Sequence, residues 1–337
     1  MLSVLVALLG AIIPTVFYVL FLWWLDRYEK EPVWLLALAF AWGAVPAAFL
    51  SIVAEVAFDA SITLVAGESL LADLASVSVS APLVEESAKG VALIALVLLF
   101  RREFDNVLDG IIYGAMIGFG FALTENVFAY FLPILSSEGL GPGLTNIFMR
   151  TVVFGFNHAF WTATTGAAMG YARLSPQPLR RLLLPIAGWA TAVFLHGVHN
   201  AGASLVQQTL CLSLGISLIL HWGGLALLVA VAVLVGRRES QWIERGLAEE
   251  VRRGALTAHE FDVLRSATHR QQVRWQALGK GGRAAYRAVG AYFEHATELA
   301  FARHQLHLMG DQGGDLDEID RLRGVLADSR AEALPWL

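Results

Sequence analysis

The sequence predicts an all-α protein: a polytopic membrane helix bundle of about seven spans, N-terminus outside, followed by a cytoplasmic helical tail. Three observations carry this. Of 337 residues, 56% are hydrophobic and 16% charged, against about 25% charged in ordinary soluble domains. The charges are uneven, because residues 237–337 hold 15 of the 24 Lys and Arg and 15 of the 29 Asp and Glu. Apolar runs long enough to cross about 30 Å of hydrocarbon recur along the remainder. The chain therefore divides into a transmembrane core, 1–236, and an α-helical tail, 237–337. A net charge of −5 offers no basic field for nucleic acid. The single Cys211 permits neither an internal disulfide nor a thiolate metal cluster, and no activating neighbour makes it a nucleophile.

The first run, near 3–25, has no basic residue before it and is followed by Asp26, Arg27 and Lys30, so it reads as a permanent anchor rather than a cleaved signal peptide. The second, 34–57, is apolar up to Glu55, which reads as an interfacial group near its outer end. The third (80–100) and fifth (148–172) are interrupted by polar residues. The fourth (110–134) and fifth carry the small-xxx-small pairs Gly114/Gly118 and Gly166/Gly170, a spacing that lets helix backbones approach closely. The sixth (182–205) and seventh (209–235) complete the set.

Basic residues fall in alternate loops: Arg27 and Lys30, then Arg101 and Arg102, then Arg173, Arg180 and Arg181, then Arg237 and Arg238. The opposite loops, near 58–79, 135–147 and 206–208, have none. The positive-inside rule then places the N-terminus outside and the tail in the cytoplasm, Arg150 being the one exception; the expected location is the plasma (inner) membrane. The tail reads as amphipathic helices broken at Gly254, Gly279–Gly282 and Gly310–Gly314, a docking or regulatory module.

Ionisable groups in a spanning helix each cost on the order of 2.5–3.5 kcal/mol on insertion scales, so a set of them needs a reason. The third span carries Glu85, Glu86 and Lys89, the fourth Glu125 and Asn126, the fifth Asn157 and His158, the sixth His196, His199 and Asn200, and the seventh His221. Glu86 lies 15 residues from Arg101, Glu125 16 from Asp109, His158 15 from Arg173 and His196 15 from Arg181. At 1.5 Å per residue, each sits about 22–24 Å from the cytoplasmic boundary. Four helices thus bring ionisable groups to one level in the outer half of the membrane. Lys89 is within a helical turn of both glutamates, and can hold one carboxylate ionised while the other exchanges protons, the arrangement that general acid–base chemistry requires. His221, Asn157 and Asn126 read instead as interhelical hydrogen-bond partners.

At these residues the sequence resembles the PrsW family of intramembrane proteases, within the wider group that includes the type II CAAX prenyl endopeptidases. The matching stretches are DRYEKEP at 26–32, EESAK at 85–89, EFDNVLDGIIYGAMIGFGFALTEN at 103–126 with Phe121 and Glu125 as FxxxE, His158, and HGVHN at 196–200. The resemblance spans about 26–205 and leaves the tail outside it. It implies proteolysis by a glutamate-activated water. Glu85 or Glu86 would be the base and Glu125 would assist it or share its proton. His196 with Asn200 would donate to the oxyanion, and Lys89 would balance the carboxylate charge. His158 would be a second donor or a metal ligand, with Phe121, Asn126 and His199 in support. No cofactor is required on this reading, yet two histidines and two or three glutamates can also supply tetrahedral ligands to a divalent metal such as zinc. The implied partners are the lipid bilayer and a membrane-anchored protein substrate, such as an anti-sigma factor. The same cluster would also suit a proton- or metal-coupled transporter, or a scaffold that binds membrane helices, although no inverted repeat is visible and every motif position holds a reactive residue.

Overall fold

A computed structural model of the chain describes residues 1–25, 30–67, 69–101, 103–311 and 315–337. Among them every regular element is helical. The helices are α1 (Leu2–Leu25), α2 (Val33–Trp42), α3 (Ala48–Ala66), α4 (Leu70–Ala75), α5 (Ala81–Leu99), α6 (Val107–Glu125), α7 (Leu132–Ser137), α8 (Leu140–Phe148), α9 (Asn157–Arg173), α10 (Pro178–Ser204), α11 (Leu212–Arg252), α12 (Ala258–Leu264), α13 (Ala267–Met309) and α14 (Asp315–Ala333). The chain divides into two compact units, one of Met1–Leu25 with Glu31–Ala232, the other chiefly Val233–Leu337.

Five helical stretches among the described residues are long and apolar enough to cross a membrane: Leu2–Leu25, Val33–Ile62, Val107–Ser137, Pro178–Ser204 and Leu212–Arg252. The other two expected spans are helices as well. However, α5 carries three charged side chains and α9 is only 17 residues long, so neither declares itself by hydropathy. The fifth span is not one continuous helix over 148–172. It is α8 with the π-turn Met149–Val153, a break at Phe154–Phe156, and then α9. The break is tight, with room for no Cβ at Gly155 because the Thr151 carbonyl fills that space, and Asn157 N–H donates to Phe154 O at 3.0 Å.

Three further π-turns interrupt the spans: Gly43–Ala47 between α2 and α3, Ser76–Ser80 before α5, and Asn126–Phe131 between α6 and α7. Each has a proline inside it or two residues beyond it, Pro46, Pro82 and Pro133. Proline cannot donate to the carbonyl four residues back and crowds it, and a widened turn relieves the conflict.

Helix α6 is the centre of the first unit, with all of Leu108–Phe121 buried. It starts at a capping box in which the Asn106 side chain accepts from the Leu108 and Asp109 amides and Asp109 accepts from the Asn106 amide. Its glycines serve two faces. On one, each four-residue step along α6 is matched by a four-residue step back along α9: Asn106 meets Gly170, Gly110 meets Gly166, Gly114 meets Thr162, and Gly118 meets His158, all at backbone contact. On the other, Gly120 abuts the Phe40 carbonyl, and the Ile117 carbonyl abuts Gly43. This antiparallel ladder sets the level of His158 against the α6 helix that ends in Glu125.

In the DRYEKEP stretch, residues 26–29 lie outside the described residues, as does Arg102 of the basic-loop pattern. Glu31 is buried and accepts a hydrogen bond from the Tyr113 hydroxyl, a tether between the start of α2 and mid-α6.

The second unit packs around Ile243, Leu247, Leu264, Val289, Tyr292 and Phe293. Helix α11 runs through Arg237 and Arg238 to Arg252 rather than stopping at the expected boundary. Gly254, Gly282 and Gly310 have φ of 73°, 66° and 70°, left-handed values that end or kink helices at three of the expected places. Buried Glu250 accepts from Arg303 at 2.8 Å and from Arg323 at 3.0 Å.

Candidate active site

One turn of α5 supplies three charged side chains to the bundle interior. Glu85, Glu86 and Lys89 are all buried, the lysine completely. Lys89 Nζ lies 3.0 Å from Glu85 Oε2, 2.8 Å from Glu86 Oε1 and 3.0 Å from His158 Nδ1. Its three N–H donors are thereby all used, and the ammonium sits 3.8 Å from the centre of the Phe121 ring. A buried charge persists only when paired and hydrogen-bonded, and this one is both.

The two glutamates differ in their surroundings. Glu86 takes part in three contacts, accepting from Lys89 and, on its other oxygen, from Thr162 Oγ1 at 3.1 Å, while His196 Nδ1 lies 3.2 Å from Oε1. Among the described residues Glu85 accepts a hydrogen bond from Lys89 alone, with its Oε2 3.7 Å from His158 Nδ1 and 4.0 Å from His196 Nε2. Glu86 is an anchored carboxylate, whereas Glu85 has unused accepting capacity between two imidazoles.

The histidines are held by Trp161. His196 stacks on its indole at 3.9 Å and 15°, and His158 meets it edge-on at 5.0 Å. His158 Nε2 lies 3.1 Å from Glu125 Oε2, and Glu125 in turn forms an ion pair with Arg150. Arg150 Nε also donates to Asn126 Oδ1 at 2.6 Å, and its guanidinium lies 3.5 Å over the Tyr130 ring. Glu125 and Arg150 stand at two π-turns, Asn126–Phe131 and Met149–Val153. The relay Lys89–His158–Glu125–Arg150 therefore links four segments.

An open cleft of about 440 Å³ is lined by Glu125, Arg150, His158, Trp161, His196, Asn200 and their neighbours. Neither Glu85 nor Glu86 is part of that lining; both contact the histidines that are. Asn200 and His199 also border the cleft, but neither bonds His196. The Asn200 amide donates to Val77 O at 2.9 Å, and His199 Nδ1 lies 2.8 Å from Ser217 Oγ. Of the expected interhelical partners, Asn126 has one in Arg150. Asn157 Oδ1 and both ring nitrogens of His221 have none among the described residues. Both residues border a second, neighbouring recess, and Asn157 lines the cleft as well.

Glu85, Glu86, His158 and His196 each offer one donor atom within 4.8 Å of the others, an N₂O₂ set of the type that divalent zinc accepts. Three of these four residues are also the ones that Lys89 contacts. The donor set fits a metal in kind, and fits it in space once the ammonium moves aside.

Sequence reasoning missed Arg150 as a site residue, although its violation of the charge pattern was a usable signal. It also missed Trp161, which has no distinguishing mark in an aromatic-rich, membrane-embedded chain.

Residues 31–237 match the family model described as PrsW family intramembrane metalloprotease. The chain is similar to the protease PrsW of Bacillus subtilis (strain 168), 28% identical over 203 residues, which are 59% of this chain and 84% of that protein. It is similar also to the protease PrsW of Geobacillus kaustophilus (strain HTA426), 29% identical over 182 residues, 52% of this chain and 69% of that one. No solved structure matches.

Proposed function

The chain belongs to the PrsW family of intramembrane metalloproteases, and on that premise we propose that this integral membrane peptide hydrolase cuts a membrane-anchored protein in the outer half of the bilayer with Glu85 as the base. The observation that carries the assignment is the unequal pair: Glu86 has three polar partners, while Glu85 has one and lies between the two histidines that wall the cleft.

In this mechanism the peptide enters the cleft with its scissile carbonyl against His196 and Asn200. Glu85 takes a proton from water as the water oxygen attacks the carbonyl carbon. The developing oxyanion accepts hydrogen bonds from Asn200 and from the Nε2–H of His196 in its imidazolium form, its Nδ1–H being committed to Glu86, each donor of this kind contributing about 2.7–4 kcal/mol. Glu85 then returns the proton to the amine nitrogen as the C–N bond breaks, leaving a carboxyl and an amine terminus. Glu86 and Lys89 orient Glu85 and His196, and Glu125 with Arg150 orients His158. A divalent ion held by Glu85, Glu86, His158 and His196 would supply Lewis-acid polarisation and an activated water at the same place.

The test is cleavage of a membrane-anchored reporter by Glu85→Gln, Glu86→Gln and His196→Ala proteins that insert normally. Turnover should fall by roughly two or more orders of magnitude in each. Serine and cysteine protease reagents should have no effect. Turnover that persists in all three variants would overturn the assignment, and proton or metal flux in vesicles without cleavage would favour a transporter. The tail, 237–337, acts in stability, recruitment or regulation, so a chain ending near residue 240 should insert and retain basal cleavage. The substrate class proposed is a membrane-anchored regulator such as an anti-sigma factor.

A further inference from the structure

We infer that Lys89 is the resident cation of this site, and that a divalent metal binds the four-residue donor set only when the Lys89 ammonium is removed. The inference rests on the location proposed for the active site but not on the reaction assigned to it, since metal binding is measurable whether or not the protein cuts anything.

The first argument is occupancy. The ammonium makes three contacts at 2.8–3.0 Å, and they go to Glu85, Glu86 and His158, three of the four residues whose atoms would ligate a metal. Lys89 is fully buried, beneath the Phe121 ring, so its cation is part of the packed interior and not a visitor from solvent.

The second argument is spacing. Glu85 Oε2 lies 3.7 Å from His158 Nδ1 and 4.0 Å from His196 Nε2, and Glu86 Oε1 lies 3.2 Å from His196 Nδ1. Ligands at about 2.0–2.2 Å from zinc are about 3.4 Å apart. The donors therefore need little movement to hold zinc once the ammonium is gone, and they leave no room for both cations.

The third argument is charge. Two carboxylates against one ammonium leave a single negative charge at the centre, and Arg150 already answers Glu125. Adding a divalent ion beside the lysine would place two cations in contact; removing the lysine would leave two carboxylates and two imidazoles with no cation, the composition of a zinc site.

The experiment uses the full-length protein in detergent, titrated with Zn²⁺ against a competing chelator and with Co²⁺, whose visible absorption reports tetrahedral coordination. Wild type and Lys89→Arg should retain well under one equivalent of zinc after desalting. Lys89→Met should retain about one equivalent and bind at least roughly a hundredfold more tightly, and Lys89→Met with Glu86→Gln should lose that gain. Stoichiometric zinc in the wild type, abolished by Glu86→Gln, would overturn the inference even if Lys89→Met does not fold. A folded Lys89→Met protein with wild-type zinc affinity would overturn it as well. Cleavage by the wild type should survive chelation. Absence of any wild-type cleavage would count against the proposed reaction and would leave the binding results standing.

Discussion

His158 Nδ1 accepts a hydrogen bond from Lys89 Nζ at 3.0 Å, and this dictates the imidazole's other edge. An ammonium has no lone pair, so Nδ1 must be the acceptor; the proton of the neutral ring then sits on Nε2 and points to Glu125 Oε2 at 3.1 Å. His158 is a fixed bridge between a buried cation and a carboxylate. Nitrogen NMR of histidine-labelled protein should show it as the Nε2–H tautomer, and a Nδ1–H ring would break the relay as described. Replacing it with alanine should lower stability by about 1–3 kcal/mol, the cost of leaving buried polar partners unmatched, as read from thermal unfolding in detergent.

Arg150 should behave as a positioning residue. Its removal in Arg150→Gln releases Glu125 and Asn126 from their shared partner. An ångström-scale drift of His158 would then lower kcat by up to roughly 100-fold. Arg150→Lys keeps the charge but cannot serve both partners through a planar fork, so it should recover only part of the loss. A kcat unchanged in Arg150→Gln would show that Glu125 needs no anchor.

Two glycines near the site should respond in opposite ways to alanine. A Cβ at Gly118 would strike the His158 carbonyl, a backbone atom that cannot step aside. Overpacking of this kind costs about 1–3 kcal/mol. A Cβ at Gly90, on α5 one residue after Lys89, meets nothing within 4 Å. There alanine should be neutral or stabilise by about 0.4–1 kcal/mol. Paired thermal melts of Gly118→Ala and Gly90→Ala check both signs at once.

Membrane orientation is testable with reporter fusions. Alkaline phosphatase fused after residue 70 should be active, and after residue 175 inactive, if the N-terminus is outside and the tail is cytoplasmic. The reverse pattern would put the cleft of Glu125, Arg150 and His196 at the opposite leaflet.

The cluster of Glu85, Glu86, Lys89, Glu125, His158 and His196 was legible because charge inside an apolar helix is conspicuous and a fixed rise per residue converts sequence distance into depth. The glycine breaks at 254, 282 and 310 were legible for a related reason: they mark what a helix disfavours. Arg150 was not, because a cation near a helix end looks like an ordinary interfacial group until its partner on another segment is known. The break before Asn157 was hidden in an apolar run, where hydropathy cannot tell a continuous helix from two. His199 and Asn200 follow His196 by three and four residues, yet their bonds go to Ser217 and Val77, choices made by neighbouring helices and invisible to spacing.

The glycine ladder between α6 and α9 separates scaffold from chemistry. The register that puts His158 opposite Gly118 is held by backbone surfaces, none of which is an acid, a base or a cation. If Glu85 is the base proposed above, a Glu85→Gln protein should therefore keep the mould of the cleft while losing the power to empty it. Such a variant should act as a snare, holding on the membrane a polypeptide that the active form would release in pieces.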